Sequence, residues 1–408
     1  MARSFLVGLA TSRSVPIIPR IGGQVVEVEE AIGESARVLA GARGAVVVGL
    51  GRSTNESVAE AVRLADTIGA TIEVGDGSSS WRRIVAFQRG GAVGATLGEV
   101  KTRADVVVFW GCDPARTHPR HFERYSIDAV GRFTADGRSG RRVVVVDEEE
   151  TETARRADDF FPVRRDRELE FLLVLRALVR EAALDPIRTA SATGHRLDAL
   201  AGLAETLRGA RYGAWFMGPF AGRGGGQGAE ARYQAVTSLV RELAKRTRFV
   251  ALGLGEAGNV HGAEGVLGWQ SGFAPGVDFG AGYPESLPGE SSAIGRLGRG
   301  EFDAALVVGG AAATSALATH WDVLASRPWI YIGPPENPAF GLASVAFPAS
   351  TPGVDASGTF TRVDGVSIPV RPIRPASFPS EGDWLAALDR AVRDLRTAGV
   401  ESATAGGP

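Results

Sequence analysis

The side chains with chemical potential in this chain gather in four glycine-containing segments that follow apolar runs. The first, GLGRSTNE (Gly49–Glu56), sets a glycine-rich turn before an amphipathic pattern, so backbone N–H groups at a helix start could face an anion. It is not GxGxxG and has no Walker lysine, so a plain turn competes with a phosphate site there. The second, WGCDPARTHPRHFERYS (Trp110–Ser126), crowds Asp113, Arg116, His118, Arg120 and His121 into one loop. Gly111 lets the chain turn, and Pro114 and Pro119 stiffen it. The third, LGLGEAGNVHGAEGVLGWQSGF (Leu252–Phe273), offers Asn259 and His261 as polar tips. Its Gly258, Gly262, Gly265 and Gly268 suit close backbone approach to a ligand, or equally turns and tight packing. The fourth, TPGVDASGTFTRVDGV (Thr351–Val366), places Asp355 and Gly358 in a polar turn ahead of a TFTRVDG hairpin.

Several chemistries are excluded by composition. Cys112 is the only cysteine, which rules out an internal disulfide and a four-cysteine iron–sulfur site. Nothing beside it marks a nucleophile, and a small buried residue is its plainest reading. The five histidines form no HxH or HExxH spacing. His118 and His121 could share a helical face as ligands, but a structural pair is the expectation, and no metal site is assigned. No nucleophile elbow and no matched pair of carboxylates stands out. A net charge of −2, with arginines interleaved among acids, favours neither nucleic acid nor an anionic membrane. No run approaches the roughly 20 apolar residues of a membrane span. The N-terminal apolar run is short and lacks a cleavage-site pattern, so a cytoplasmic location is expected.

The loops need a frame. With 408 residues, 44% hydrophobic and 23% charged, the chain suits two or three globular domains. Continuous apolar runs at Ala45–Leu50, Asp105–Trp110, Arg141–Asp147, Ala214–Phe220, Phe249–Leu254, Ala305–Gly310 and Trp329–Gly333 read as strands buried on both faces. Helical patterns between them imply parallel sheets flanked by helices. The expected division is a shortened N-terminal segment (1–40), a first α/β domain (41–165), a helical crossover (166–212), a second α/β domain (213–350), and a C-terminal hairpin and helix (351–408). A weak repeat supports two similar halves. Val143–Val163 aligns without gaps on Trp329–Ala349, matching Ala157 with Ala343, Phe161 with Phe347 and Pro162 with Pro348. Two such halves facing each other would hold a ligand at the carboxyl ends of their strands.

The loop segments also carry a family resemblance. TLGEVKTRADVVVFWGCDPARTHPRHFERYS (Thr96–Ser126), GNVHGAEGVLGWQSGFAPGVDFGAGYP (Gly258–Pro284) and PGVDASGTFTRVDGVSIPV (Pro352–Val370) resemble the B subunit of formylmethanofuran dehydrogenases, within the molybdopterin oxidoreductases. The likeness spans roughly Gly41 to Pro372. It implies an α/β fold of two facing Rossmann-like parallel-sheet domains, lacking the iron–sulfur domain. Gly111, Asp113, His118, Gly258, Asn259, Gly262, Asp355 and Gly358 would then be vestigial pterin-cleft positions.

The chain departs from the active pattern in several places at once. Met1–Gly41 has no cysteine where active members hold an iron–sulfur cluster. Counting back from Gln88, the metal-ligating cysteine or selenocysteine falls near Ser79 or Ser80, and Trp81 and Arg82 replace small neighbours. An arginine expected before GYP reads Ala281. The resemblance therefore implies no iron–sulfur cluster, no molybdopterin, and no catalytic residue in this chain. It points instead to the redox-inactive B subunit of the bacterial formyltransferase/hydrolase complex. The implied partners are an amidohydrolase-type hydrolase subunit, a formyltransferase subunit and a C-type subunit. Two alternatives stand beside this. One is an active molybdopterin subunit with a serine ligand. The other is a binding module whose old pterin cleft holds a polyglutamated methanofuran-like carrier; in the scaffold reading, Trp81 or Arg82 plugs that cleft.

Overall fold

The computed structural model describes residues 18–75, 80–218, 228–255, 258–287, 290–310 and 317–405. Its strands are β1 (Arg20–Ile21), β2 (Gln24–Val25), β3 (Val46–Gly49), β4 (Thr71–Val74), β5 (Val106–Trp110), β6 (Arg142–Asp147), β7 (Asp159–Pro162) and β8 (Tyr212–Met217). There follow β9 (Arg248–Gly253), β10 (Gly276–Asp278), β11 (Ala305–Val308), β12 (Trp329–Gly333), β13 (Val345–Pro348), β14 (Gly358–Thr361) and β15 (Ser367–Val370). The apolar runs read as strands are strands, within three residues at their ends, Pro219 and Phe220 of the Ala214–Phe220 run lying outside the described residues.

The chain forms two compact units. The first comprises Met1–Gly77, Gly258–Arg362 and Ser367–Pro408. Its sheet has the order β10-β4-β3-β11-β12-β13-β1-β2, parallel from β4 to β13 with antiparallel strands at both edges. The second unit, Ser78–Ala257 with Val363–Val366, carries an all-parallel sheet of order β7-β6-β5-β8-β9.

Alternation along the strands explains why both faces are covered. In β3, Val47 joins a core built on the helices Val28–Gly41, Asn55–Ile68 and Glu381–Ala405, while Val46 and Val48 join the opposite core with Leu297, Leu324 and Phe340. In β5, Val106, Val108 and Trp110 face the helices Glu168–Val179 and Ala229–Ala244, while Val107 and Phe109 face Leu97, Val100 and Phe122. Successive side chains point to opposite faces, so a continuous apolar run is what a doubly covered strand requires.

The expected domain boundaries need correction. The span 41–165 is not one domain: β3 and β4 pair with β11, whereas β5 to β7 pair with β8 and β9. Likewise 213–350 divides between the two units, with β8 and β9 in the second and β10 to β13 in the first. The stretch 166–212 is helical, as Glu168–Val179, Pro186–Thr193 and Leu197–Arg208, but these helices belong to the second unit and form no crossover of their own. The 1–40 and 351–408 segments are not separate either, since β1, β2, the helix Val28–Gly41, β15 and the C-terminal helix belong to the first unit. The physical reason is that apolar runs reveal strands but not pairing. A parallel ladder can recruit a strand from any distance along the chain.

The repeat is borne out in the ladders. Val144 pairs with Asp159 and Ile330 with Val345, which are equivalent positions of the two aligned segments, so β6–β7 and β12–β13 share one register.

Candidate functional site

In the first unit, the loops at the carboxyl end of the sheet are stitched together by Asn259. Its side chain is fully buried. Nδ2 donates to the Ser53 carbonyl (2.9 Å) and to Asn55 Oδ1 (2.9 Å), and Oδ1 accepts from the Thr361 N–H (2.7 Å). Its own N–H donates to the Gly51 carbonyl at 2.7 Å. Asn55 Nδ2 continues the network to Thr361 Oγ1 at 3.0 Å. Three segments far apart in sequence are thus locked by one amide.

The glycines make this approach possible. A Cβ at Gly262 would stand 2.2 Å from Asn259 Oδ1, and one at Gly358 would stand 2.5 Å from Thr54 Cγ2. Gly258 is similarly pressed against the Gly51 carbonyl. Gly258 and Gly262 are thus tightly packed, whereas a Cβ at Gly265 or Gly268 would meet nothing closer than 3.6 Å. Asp355 is also engaged internally, accepting from the Thr351 N–H at 2.6 Å and pairing with Arg374 at 3.1 Å. The Gly49–Glu56 loop is no open anion cradle: Thr54 Oγ1 caps the following helix by accepting from the Ser57 N–H at 3.1 Å.

In the second unit, the Trp110–Ser126 loop is also tied by internal hydrogen bonds, although His121 Nε2 and Ser126 Oγ are buried without one. Asp113 Oδ1 accepts from the Thr153 hydroxyl (2.6 Å) and N–H (3.0 Å). Gly111 adopts φ +56°, and its carbonyl fits only because residue 218 is glycine. Cys112 lies buried with Sγ 3.7 Å from the Phe216 carbonyl, and burial pushes its thiol well above the usual range. His121 stands edge-on to Phe216 at 4.8 Å, and burial, then the nearby His118, push it down to about 3. His118 is half-buried, its Nδ1 2.9 Å from the Thr117 hydroxyl, and burial lowers it too. Their ring centroids are 6.5 Å apart. His121 thus sits as a neutral ring among Phe109, Phe122, Tyr125 and Phe216.

A metal or cluster finds poor support in these residues. No group of three or more His, Cys, Asp or Glu suited to a metal ion exists among the described residues. The one thiol is held protonated and turned into the core. Of the polar residues assigned to a pterin cleft, Asp113, Asn259 and Asp355 hold hydrogen bonds within the chain, and His118 lies beside the Thr117 hydroxyl. Ser79 lies outside the described residues. Ser80 opens the helix Ser80–Gly90, in which the Arg82 guanidinium covers the Trp81 ring at 4.5 Å.

Two buried acids are not legible in the motifs. Glu168, 1% exposed, accepts from Trp110 Nε1 at 3.0 Å and pairs with Arg232 at 3.4 Å. Burial raises it to about 7 against the pull of both partners. Glu381, 4% exposed, is also raised to about 7 by burial. Each is the first residue of its helix, and a glutamate there looks in sequence like an ordinary acid in a first turn.

No family model matches the chain. Individual proteins do. The B subunit of the tungsten-containing formylmethanofuran dehydrogenase 2 of Methanocaldococcus jannaschii is 35% identical over 353 residues, covering 85% of this chain and 79% of that protein. The same-named protein of Methanococcus maripaludis is 30% identical over 91% of this chain and 85% of its own length. The B subunit of the formyltransferase/hydrolase complex Fhc of Methylorubrum extorquens is 28% identical over 70% of this chain and 73% of that protein. Among solved structures, a chain of that complex, crystallised with methylofuran, superposes with TM-score 0.76 at 23% identity, covering 93% of this chain and 99% of that one. Acetylene hydratase from Pelobacter acetylenicus superposes with TM-score 0.65 at 11% identity over 94% of this chain and 62% of its own. The chain shares its fold with both. No helix among the described residues is long and apolar enough to cross a membrane. By extent and identity of the match, the chain belongs to the family of formylmethanofuran dehydrogenase B subunits.

Proposed function

We propose that this chain is a non-catalytic structural subunit of a cytoplasmic formyltransferase/hydrolase complex, one that converts formyl-tetrahydromethanopterin to formate through a methanofuran-like carrier. Its partners in this reading are an amidohydrolase-type hydrolase, a formyltransferase and a C-type subunit, and it carries neither molybdopterin nor an iron–sulfur cluster. The observation that carries the reading is the single cysteine, Cys112, buried and kept as a thiol. A redox subunit needs thiolates to hold an electron relay. The match to the B subunit of an Fhc complex supports the same conclusion.

As a scaffold, the chain stabilises its hydrolase partner by binding the folded form alone. Co-expression tests this. Omitting the chain should lower the soluble yield and the thermal midpoint of the hydrolase; a hydrolase unchanged in both would overturn the scaffold role.

One observation favours a second reading, an active tungsten- or molybdenum-dependent subunit with Ser79 or Ser80 at the metal. Identity to the two tungsten-containing relatives, 35% and 30%, exceeds the 28% to the Fhc protein. Elemental analysis and pterin extraction of the intact purified complex separate the two. The scaffold reading expects tungsten and molybdenum far below one per chain and no extractable pterin. Stoichiometric metal would transfer the assignment to the second reading.

A further inference from the structure

The internal repeat extends beyond the segments that align in sequence. Strands β7, β6, β5, β8 and β9 of the second unit match β13, β12, β11, β3 and β4 of the first in spatial order. The helix after β8, Ala229–Ala244, matches the helix after β3, Asn55–Ile68. The helix Glu168–Val179 packs on the former, and Glu381–Ala405 packs on the latter. Aligned on their first residues, these two helices read ELEFLLVLRALV and EGDWLAALDRAV. Buried Phe171, Leu172 and Leu175 then fall on buried Trp384, Leu385 and Leu388. Phe171 meets Phe161 of β7, and Trp384 meets Phe347 of β13, at positions the repeat already equates. Glu168 and Glu381 are therefore equivalent residues.

Their surroundings differ: Glu168 accepts from Trp110 Nε1, whereas the donor at Glu381 is the Ser53 hydroxyl. Glu168 has a built-in cation, Arg232, on the helix Ala229–Ala244. Matching buried Tyr233, Val236, Val240 and Leu243 to Val58, Ala61, Ala65 and Ile68 puts Ser57 at the place of Arg232. Where the guanidinium is lost, the first unit has a cleft of about 460 Å³. Glu56, Glu60, Glu381 and Asp383 line it, with the Thr54 and Ser57 hydroxyls and no basic side chain among the described residues.

Three of these carboxylates are engaged. Glu56 accepts from the Thr359 N–H, Glu60 pairs with Arg63, and Asp383 accepts from the Ser380 N–H. Glu381 Oε2 is buried without a hydrogen bond of ordinary geometry, as is Glu168 Oε2, and the Ser53 hydroxyl is the donor that faces Glu381. A buried acceptor without a full hydrogen bond is costly, so the site favours a donor from outside.

We propose that this cleft binds a small organic cation with a guanidinium or ammonium group, which takes at Glu381 the place that Arg232 holds at Glu168. The cleft volume lies within the range of small-molecule sites. The proposal does not depend on the scaffold reading.

Isothermal titration of the full chain with agmatine at pH 8, beside a neutral alkylurea of equal length, tests it. Saturable binding of agmatine but not of the urea is expected. Glu381→Gln should weaken that binding by about tenfold or more, as loss of a charged hydrogen bond implies. Glu168→Gln, in the second unit, should leave it unchanged. Ser57→Arg restores the second unit's arrangement and should abolish binding by occupying the site. Should Glu381→Gln fail to fold by circular dichroism, Ser57→Arg decides alone. No saturable binding by the unsubstituted chain, or full binding retained in Ser57→Arg, would overturn the proposal.

Discussion

Asn259→Ala is expected to destabilise the first unit by about 3–5 kcal/mol, seen as a lower urea midpoint for the transition that carries it. The amide makes three side-chain hydrogen bonds in a fully buried site. Alanine removes all three and strips the Ser53 carbonyl, Asn55 Oδ1 and the Thr361 N–H of these bonds. Water has no route to repair them without opening the junction between the Gly49–Glu56 loop, the helix Val260–Ser271 and β14. Asn259→Asp should fare little better, because it keeps only the acceptor and adds a buried charge. Asp355→Asn is the useful contrast. Its partner Arg374 is partly exposed, so the loss should stay near about 1 kcal/mol. A change below about 1 kcal/mol for Asn259→Ala would mean that the amide is free to serve a ligand, contrary to its role as a clamp.

That clamp shows what can and cannot be read from the residues. Asn259, Gly258 and Gly262 stand out in sequence because polar tips among glycines suggest close approach, and close approach is what the structure has. The approaching atoms, however, belong to the chain itself: Gly51, Asn55 and Thr54. Sequence spacing carries no information about which distant loop fills the space a glycine leaves. The same limit explains the domain boundaries. The strands are legible because burial on both faces demands unbroken apolar runs. Their distribution between two sheets is not, because β11 inserts beside β3 only through non-local pairing. The repeat is legible as far as its copies share one register, and invisible beyond β13, where the hairpin β14–β15 intervenes before the equivalent helix. Glu168 and Glu381 are silent in sequence for that reason. Only the spatial order of the strands makes them counterparts.

Those two glutamates should make stability depend on pH in a way that glutamine removes. Both are raised by burial to about 7 from an ordinary 4.5, so the folded chain holds each proton more tightly than the unfolded chain does. The stabilisation from that proton is complete below about pH 4.5 and disappears as pH rises through 7. A rise of this size is worth about 3 kcal/mol at most. Glu381→Gln keeps the shape but not the charge. Relative to the unsubstituted chain it should be nearly neutral at pH 5 and more stable by about 2–3 kcal/mol at pH 8. Glu168→Gln should show a smaller gain, about 1 kcal/mol, because it also strips Arg232 of its counter-charge. Denaturant titrations at pH 5, 6.5 and 8 would measure both. A constant difference across that range would show that neither carboxyl changes charge in the folded chain near neutrality. Agmatine should act in the same direction as the Gln substitution and at the same end of the pH range, since it supplies the missing cation only when Glu381 is ionised. It would raise the stability of the unsubstituted chain at pH 8, do little at pH 5, and leave Glu381→Gln where it was.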